Sequence, residues 1–437
     1  MTRFIGIRHR VKQTAEGEAR PTQVVILDEF GKVWAAYPLE DEQAEYDFLL
    51  GKFSTYFRSL QAGEEVPSSI PDRHLKLRKV KKGEVLPEGS VTRTIGRELY
   101  RVDKIACGFG GLALGDRVAM VLGGSGDYFA LALARRGEEL EGAYVFRMPA
   151  AKLKGLRDDA SKDDDALLLA QTLQARAELF YEVRPRDREI IAVRVAFGAR
   201  IDVMKARIAC EQRLGKRFIG SIFCGPDGYF PEGNLEKQYD EVKANDVVLS
   251  AMLAEETRRE RELEKLVKAT GVWQSVIGDI EGMGWAIASR IVSGVVDIRR
   301  FPNKTKFKAF AGVHILLSGK FPRRRSGQLS NWNPDVRQAL YLLGDQFNRR
   351  PGSYWGQKLL LNKAYFRRVH PEPVADEKGV KKYTNGHIHK MAIWRTLSQF
   401  VMWLYREWTR YENDPERFVL DQQYPSMRLA EVRQEAA

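Results

Sequence analysis

A change of pattern along the chain constrains the fold more than any other feature. In the first 150 residues, short apolar runs rich in β-branched residues alternate with helical patterns. The runs lie at 4–7, 23–27, 118–122 and 143–148. Strands that alternate with helices form an open sheet with helices on its faces. From about 185 onward the periodicity is helical, as in the apolar positions between Leu249 and Val267. The sequence therefore predicts an α/β domain followed by α-helical parts.

Shifts in composition divide the chain into segments. A stretch near 62–92 is rich in Pro, Gly and Lys, and this long basic insertion is either a nucleic-acid contact or a mobile loop. The helical middle carries a charged run at 255–262, which is typical of a solvated face and also compatible with an assembly contact. The predicted parts are an α/β domain at 1–184, a helical, coiled-coil-like linker at 185–272, a C-terminal domain at 273–411 and a tail at 412–437.

Positive charge is concentrated in one window. The 437 residues carry a formal net charge of +13. Residues 299–368, the basic window, hold 16 Lys or Arg and only two acids, Asp335 and Asp345, so they carry +14 and leave the remaining chain at −1. A solvated basic face is one explanation. Phosphate binding explains the clustering better, because each neutralised phosphate releases condensed counterions. The basic window therefore predicts a nucleic-acid partner.

Several classes of protein are excluded by what the sequence lacks. No apolar stretch of about 18 residues is free of charge, so no membrane-spanning helix is expected. The first residues do not contain the apolar core of a signal peptide. Cys107, Cys210 and Cys224 are too few and too far apart for a disulfide framework or a zinc ribbon. We expect a cytoplasmic protein without a membrane partner.

Gly282 and Gly284 separate two helical patterns, as in a helix–hairpin–helix motif. Glycine permits a tight turn, and the free backbone N–H groups at the start of the second helix can hold a phosphate. A plain turn between two helices explains the same residues without a ligand. Both glycines are candidate nucleic-acid-binding residues.

Six short segments occur in the order found in one group of transposases. They read IEGMG at 280–284, DIRRF at 297–301, FAGV at 310–313, SGK at 318–320, RQALY at 337–341 and KYTNGHIHKMA at 382–392. On these segments the chain resembles insertion-sequence transposases related to the Piv DNA invertase. The resemblance implies a RuvC-like domain of the RNase H fold at about 1–180 and a noncoding bridge RNA that chooses DNA sites. It also implies a homo-oligomer, dimer or tetramer, that joins two DNA sites.

The same resemblance implies a serine nucleophile and a site for Mg²⁺. In the family a serine attacks DNA, and a DEDD set of acids binds the metal. Ser318 falls in the family's Ser-Gly position, and Ser326 is the alternative because the spacing from Gly312 is slightly short. Asp165 aligns with the last family acid, and Asp164 lies beside it. The predicted catalytic residues are thus Ser318 and Asp165, and the predicted metal ligands are Asp165 and Asp164.

Basic residues near the predicted nucleophile are candidates for holding phosphates. Guanidinium and ammonium groups suit a phosphate better than they suit removal of a proton from serine. The residues expected to bind nucleic acid through their side chains are Lys320, Arg323, Arg324, Arg325 and Arg337.

Three of the four family acids are not found at their expected positions. Arg8 stands where the first acid follows the opening strand, and non-ionisable residues at 122–124 stand where the second is expected. Lys162 takes the place of one member of the last pair. Positive charge at Arg8 and Lys162 weakens the binding of Mg²⁺. The alternative acids are Asp28, Asp127, Asp163 and Asp164, each of which is also explained as a turn residue, a loop residue or a helix N-terminal charge.

The sequence favours the first of three functions, because the resemblance of the C-terminal segments is its dominant signal. The first is an active transposase that exchanges DNA strands through Ser318 with a relocated acid set. The second is a catalytically inactive derivative that binds DNA under the guidance of RNA or of DNA structure, for instance as a regulator. The third is an RNA-binding scaffold that assembles through the helices at 185–270.

Overall fold

The computed structural model divides the chain into two compact units, Met1–Arg184 and Pro185–Ala437. The structure describes residues 2–11, 19–61, 63–81, 83–157, 161–225, 232–316, 321–323, 330–375 and 381–423. No helix within these ranges is both long and apolar enough to span a membrane.

A mixed six-stranded sheet forms the centre of the first unit, in the order β10-β9-β8-β1-β2-β3. β1, β2 and β3 pair antiparallel, whereas β1, β8 and β9 run parallel. The short β10 closes the sheet antiparallel to β9. The strands are β1 (Phe4–Arg8), β2 (Thr22–Leu27), β3 (Val33–Leu39), β8 (Arg117–Leu122), β9 (Tyr144–Pro149) and β10 (Tyr181–Glu182). The prediction of an α/β region is confirmed.

Among the described residues of this unit, four helices accompany the sheet. They are α1 (Glu42–Leu49), α2 (Asp127–Glu139), α3 (Ala150–Leu156) and α4 (Asp165–Ala175). α4 lies directly on the centre of the sheet, and its approach requires a residue without a side chain on β1. A Cβ atom added to Gly6 would stand only 1.8 Å from the carbonyl oxygen of Ala166. Leu169 and Leu173 of α4 pack with Ala119 and Met148 of the strands in a buried apolar cluster.

A small antiparallel sheet is inserted between α1 and β8. Its strands are β4 (Phe53–Ser59), β5 (Leu75–Lys79), β6 (Thr92–Ile95) and β7 (Glu98–Gly110), and β7 pairs with the other three. Leu75, Val102 and Ile105 form its own buried core. The predicted basic insertion near 62–92 lies between β4 and β7 and contributes β5 to this sheet. Its contact with nucleic acid stays a prediction.

The second unit is almost entirely helical, which confirms the predicted helical C-terminal part. Its helices are α5 (Pro185–Phe223), α6 (Leu235–Asn245), α7 (Val247–Ala269), α8 (Trp285–Val295), α9 (Lys304–Phe310), α10 (Pro334–Arg349), α11 (Tyr354–Val369), α12 (Asn385–Asn413) and α13 (Pro415–Gln423). A π-helical turn at Trp273–Ile277 precedes α8. Two short strands, β11 (Val374–Ala375) and β12 (Lys381–Lys382), form a hairpin.

Polar contacts hold α5 against α7, and aromatic contacts hold α10, α11 and α12 together. The buried Glu256 of α7 accepts hydrogen bonds from Arg200 and Arg207 of α5, at 3.3 and 2.5 Å. In the other helices, the rings of Phe347, Trp355 and Phe400 pack with centroids 5.2–5.9 Å apart. Such aromatic clusters contribute both buried area and ring–ring attraction. These ring contacts hold α11 and α12 in a fixed relative position.

Candidate nucleic-acid interface

The segment that carries most of the predicted phosphate contacts is only partly described. Ser318, Lys320, Arg324 and Arg325 lie outside the described residues, as does the alternative nucleophile Ser326. Arg323 lies within them and is exposed to solvent. The roles of these residues stay predictions.

The two glycines of the predicted hairpin occupy different conformations. Gly282 has φ +92°, a backbone conformation that favours glycine, and an added Cβ would lie 2.8 Å from Cβ of Gln346. Gly284 is extended and precedes the first residue of α8, Trp285. The element before this turn is π-helical rather than a regular α-helix. The structure therefore provides a tight turn at a helix start, and phosphate binding there stays a prediction.

Arg337 of α10 is held between two indole rings. Its guanidinium carbon lies 4.3 Å from the ring centroid of Trp332 and 5.3 Å from that of Trp394. Nη2 donates a hydrogen bond of 2.7 Å to the carbonyl oxygen of Pro322, and Nη1 is buried without a partner among the described residues. Burial lowers the pKa of Arg337 from its ordinary value. Arg337 thus links α10 to Pro322 and packs on Trp332. Its Nη1 group remains a buried hydrogen-bond donor.

Arg299 lies at the start of the basic window, but its charge is used inside the protein. Its side chain is 6% exposed, and Nη2 lies 2.6 Å from Asp297, 3.6 Å from Asp187 and 3.9 Å from Glu412. Burial by itself lowers the pKa of Arg299, but the hydrogen bond and charge of Asp297 and the two other carboxylates outweigh it and raise the pKa. This cation neutralises a buried acid cluster.

Other cations of the basic window lie at the surface without an acidic partner. Within the described part of the chain, none of them forms an ion pair with Asp or Glu. They include Lys304, Lys306, Arg323 and Arg368, which are exposed, and Lys358, which is half-buried. Cations of this kind can accept a phosphate without first breaking an internal ion pair.

Lys304 and Lys358 border a cavity of about 640 Å³. The cavity lies between the first turns of α9 and α11 and the C-terminal half of α12. Its aromatic wall contains Tyr354, which is 63% exposed, and Trp403. The cavity is lined by Lys304, Tyr354, Trp355, Lys358, Gln399, Met402, Trp403, Tyr405, Arg406, Thr409 and Arg410. We call it the aromatic–basic cavity.

A second, more apolar cavity of about 480 Å³ borders the first. Gln399 and Met402 of α12 line both cavities, so the two form neighbouring parts of one groove. Ile315 and Phe321, which flank residues 317–320, line the second cavity, together with Trp394. The groove therefore extends along α12 to the ends of the segment that contains the predicted nucleophile.

In the first unit, the predicted metal ligand Asp165 is bound by an arginine. Nε and Nη2 of Arg157 donate to the two carboxylate oxygens of Asp165, each at 2.6 Å. This hydrogen bond raises the pKa of Arg157. Asp164 takes the N-cap position of α4 and makes no side-chain capping bond. Arg8 ends β1 and donates to the carbonyl oxygen of Pro21 at 3.3 Å.

These residues do not fit the Mg²⁺ ion that the family resemblance implies. Mg²⁺ requires oxygen ligands in near-octahedral geometry, and both oxygens of Asp165 are engaged by a guanidinium group. The carboxylate of Asp127 is likewise occupied, since it accepts from Arg147 at 3.3 Å and from the backbone N–H of Gly123 at 3.1 Å. Among the described residues, no group of three or more His, Cys, Asp or Glu side chains could hold a metal ion.

Sequence reasoning missed the residues of the aromatic–basic cavity and the arginine that binds Asp165. Lys304, Tyr354 and Lys358 lie in the basic window, but nothing in the sequence distinguishes them from its other members. Trp403, Arg406 and Arg410 follow one another at helical spacing outside the window. A search for cations and aromatics on one helical face would have found this second group.

One comparison with known proteins is informative. No curated protein sequence matches the chain. Residues 274–354 match the family model described as transposase IS116/IS110/IS902 family. The match extends from the π-helical turn before α8 to the first residue of α11, Tyr354. On this segment the chain is similar to insertion-sequence transposases of that family.

Proposed function

We propose that this chain binds DNA in the manner of an insertion-sequence transposase but does not carry out metal-dependent strand exchange through its α/β unit. The observation that carries this proposal is the bidentate contact between Arg157 and Asp165, at 2.6 Å for both hydrogen bonds. A guanidinium group occupies both oxygens of the one family acid that stands at its expected position. Arg8 adds a second cation where another acid is expected.

The topology of the first unit supports a RuvC-like, RNase H-type domain. The order β3-β2-β1-β8-β9, with three antiparallel strands followed by parallel ones, is the strand order of that fold. In the family, acids at the ends of strands and on a helix converge beside such a sheet. Here Arg8 ends β1 and Asp165 begins α4, which packs on β1. In this proposal the scaffold is of the RuvC-like type, and its acids are replaced or neutralised.

Nucleic-acid binding in this proposal belongs to the helical unit. The exposed cations Lys304, Lys306, Arg323 and Arg368 have no acidic partners in the described ranges, and phosphate contacts explain why so much positive charge is kept together. A noncoding guide RNA and assembly into a dimer or tetramer are further parts of the proposal. They rest on the family resemblance.

A test measures binding and covalent linkage separately. The full chain is purified, copurifying RNA is sequenced, and labelled DNA that matches this RNA is added with either Mg²⁺ or EDTA. We expect binding to persist in EDTA and to weaken steeply with salt. We also expect no protein–DNA adduct after denaturing electrophoresis. A Mg²⁺-dependent adduct that disappears in Ser318→Ala would contradict the proposed loss of strand exchange. The absence of nucleic-acid binding would contradict the whole proposal.

An active transposase is the second candidate, because the family match over residues 274–354 includes Ser318. A serine hydroxyl is a weak nucleophile and requires activation by a neighbouring base or by a lowered pKa. The adduct assay distinguishes the two candidates directly. The Ser326→Ala variant shows which of the two serines is used if an adduct forms.

A further inference from the structure

We infer that the aromatic–basic cavity holds one unpaired nucleotide of a single-stranded nucleic acid, with its base against Tyr354 and its phosphate between Lys304 and Lys358. This inference rests on the proposed nucleic-acid-binding function and names the ligand of one part of that surface. Four features of the cavity support it: its aromatic wall, its cations, its polar atoms and its position in the groove.

The aromatic wall contains one exposed ring, that of Tyr354, which packs against buried aromatic side chains. Tyr354 is 63% exposed, whereas its neighbour Trp355 is 8% exposed and packs against it edge to face, at 5.3 Å between ring centroids. Trp403 packs against Trp355 at 5.8 Å. An exposed ring on such a support loses little conformational freedom when a base stacks on it, and stacking is the usual source of affinity for unpaired bases.

The cations of the cavity differ in how they are used. Arg406 and Arg410 share the carboxylate of Glu407, at 2.7 and 3.0 Å. Lys304 and Lys358 form no ion pair with an acid in the described part of the chain, and Nζ of Lys358 lies 5.5 Å from the ring centroid of Tyr354. Lys358 therefore places positive charge over the ring of Tyr354, and Lys304 adds a second positive charge to the lining of the same cavity, where both can meet the phosphate of a stacked nucleotide.

One polar group of the cavity lacks a hydrogen-bond partner, and a second is held in a fixed orientation. Oγ1 of Thr409 is buried and has no partner among the described residues. Oε1 of Gln399 accepts a hydrogen bond of 3.0 Å from Asn362, so the orientation of this amide is fixed with its nitrogen available as a donor. An unsatisfied buried polar group costs free energy. The edge of a nucleobase or a sugar hydroxyl has the acceptors and donors to satisfy Thr409 and to pair with the Gln399 amide.

The shape of the cavity favours an unpaired nucleotide over a duplex. A volume of about 640 Å³ between three helices is concave, and the aromatic face within it can meet only a base that has left its stack. The cavity continues into the apolar groove through Gln399 and Met402. Neighbouring nucleotides of the same strand can follow this groove along α12.

The test measures the binding of the full chain to three fluorescently labelled probes of 12 nucleotides: single-stranded RNA, single-stranded DNA and duplex DNA. Tyr354→Ala is expected to weaken single-strand binding about 10-fold, since stacking on one ring is lost, and to leave duplex binding within about 2-fold. Tyr341→Ala is the matched control, because Tyr341 is a 60% exposed tyrosine of α10 outside the cavity. The RNA and DNA probes identify which single strand is bound more tightly.

A second variant tests the cations. Lys304→Gln combined with Lys358→Gln should reduce the slope of log affinity against log salt concentration by about 0.7 for a shared single-strand phosphate. Lys237→Gln, an exposed lysine of α6 outside the basic window, should not change the slope. Unchanged single-strand binding in Tyr354→Ala, with wild-type binding intact, would overturn this inference and leave the proposed function standing. Failure of the wild-type chain to bind any probe would overturn both.

Discussion

Positive charge serves two different purposes in two regions of this chain. Beside the main sheet of the first unit, arginines are paired: Arg157 with Asp165 and the buried Arg147 with Asp127. In the aromatic–basic cavity of the second unit, Lys304 and Lys358 have no acidic partner within the described ranges. A paired cation stabilises the fold and neutralises a carboxylate, whereas an unpaired one at a cavity is available to a phosphate.

The difference shows that a count of charges along the sequence locates a surface only approximately. Arg299 and Lys304 are five positions apart in the basic window and contribute equally to its charge of +14. One is enclosed by three carboxylates, and the other is exposed. Substitutions at the paired cations should therefore reduce stability, and those at the unpaired ones should reduce affinity for nucleic acid.

The largest effect is expected at Arg299. Arg299→Gln leaves Asp297, Asp187 and Glu412 together without this cation, and we expect the free energy of unfolding to fall by about 4 kcal/mol. Urea denaturation followed by circular dichroism measures this loss. Arg323→Gln, an exposed cation of the same window, should change stability by less than about 0.5 kcal/mol.

Arg299→Lys keeps the comparison testable if the Gln variant does not fold. A lysine preserves the charge but not the planar fork of donors, so an intermediate loss of about 1–2 kcal/mol is expected. Equal and small losses at Arg299 and Arg323 would show that burial does not separate the two classes of cation.

A smaller loss of stability is expected when the contact between Arg157 and the predicted metal ligand Asp165 is removed. Arg157→Ala removes both hydrogen bonds to Asp165, whose side chain is only 8% exposed, and should reduce the free energy of unfolding by about 3 kcal/mol. Because the cost arises from the unpaired carboxylate, Arg157→Ala combined with Asp165→Asn should recover part of it. The double variant also distinguishes this cost from lost packing of the arginine stem.

Arg135→Ala is the control for that experiment. Arg135 is 75% exposed and lies 3.9 Å from Glu139, so its loss should cost no more than about 0.5 kcal/mol. If Arg157→Ala were as mild, or if Mg²⁺ stabilised the wild-type chain, the carboxylate of Asp165 would be available to a metal after all.

The coarse architecture could be predicted because its signals are local. Alternation of apolar runs and helical patterns predicts the main sheet, and the run of aspartates at 163–165 marks the start of α4. Asn333 followed by Pro334 marks the start of α10, where the Asn333 side chain accepts a hydrogen bond from the N–H of Val336 at 3.0 Å. Each of these signals lies within a few residues of the feature that it predicts.

The candidate site could not be predicted because its parts are distant in sequence. Tyr354 and Thr409 come from different helices, 55 positions apart, and meet only once α11 and α12 pack. The pairing of Arg157 with Asp165 crosses from the end of α3 to the start of α4. Whether a cation is paired, stacked or available depends on such contacts, which composition and spacing do not contain.

The smallest effect is expected at a paired carboxylate of the inserted sheet. The Arg58 side chain donates to both oxygens of Glu64, at 2.7 and 2.6 Å, and the N–H of Gln61 donates at 2.9 Å. These bonds lower the pKa of Glu64 to about 2. Because this folded-state pKa lies below the unfolded one, the contact stabilises the fold above pH 4.5, and its contribution is lost as the pH falls towards 2.

Arg58→Ala tests this pairing without a change elsewhere in the molecule. Carbon-detected NMR titration of the side-chain carboxyl should show that the pKa of Glu64 moves from about 2 towards 4.5. Glu84 provides an internal control, since its pKa is lowered by the equivalent contact with Arg78 and should not move. The effect on stability should be small because Glu64 and Arg58 are both accessible to water. A wild-type Glu64 that titrates near 4.5 would mean that this arginine is not held as a partner, and Arg58 would then belong with the unpaired cations.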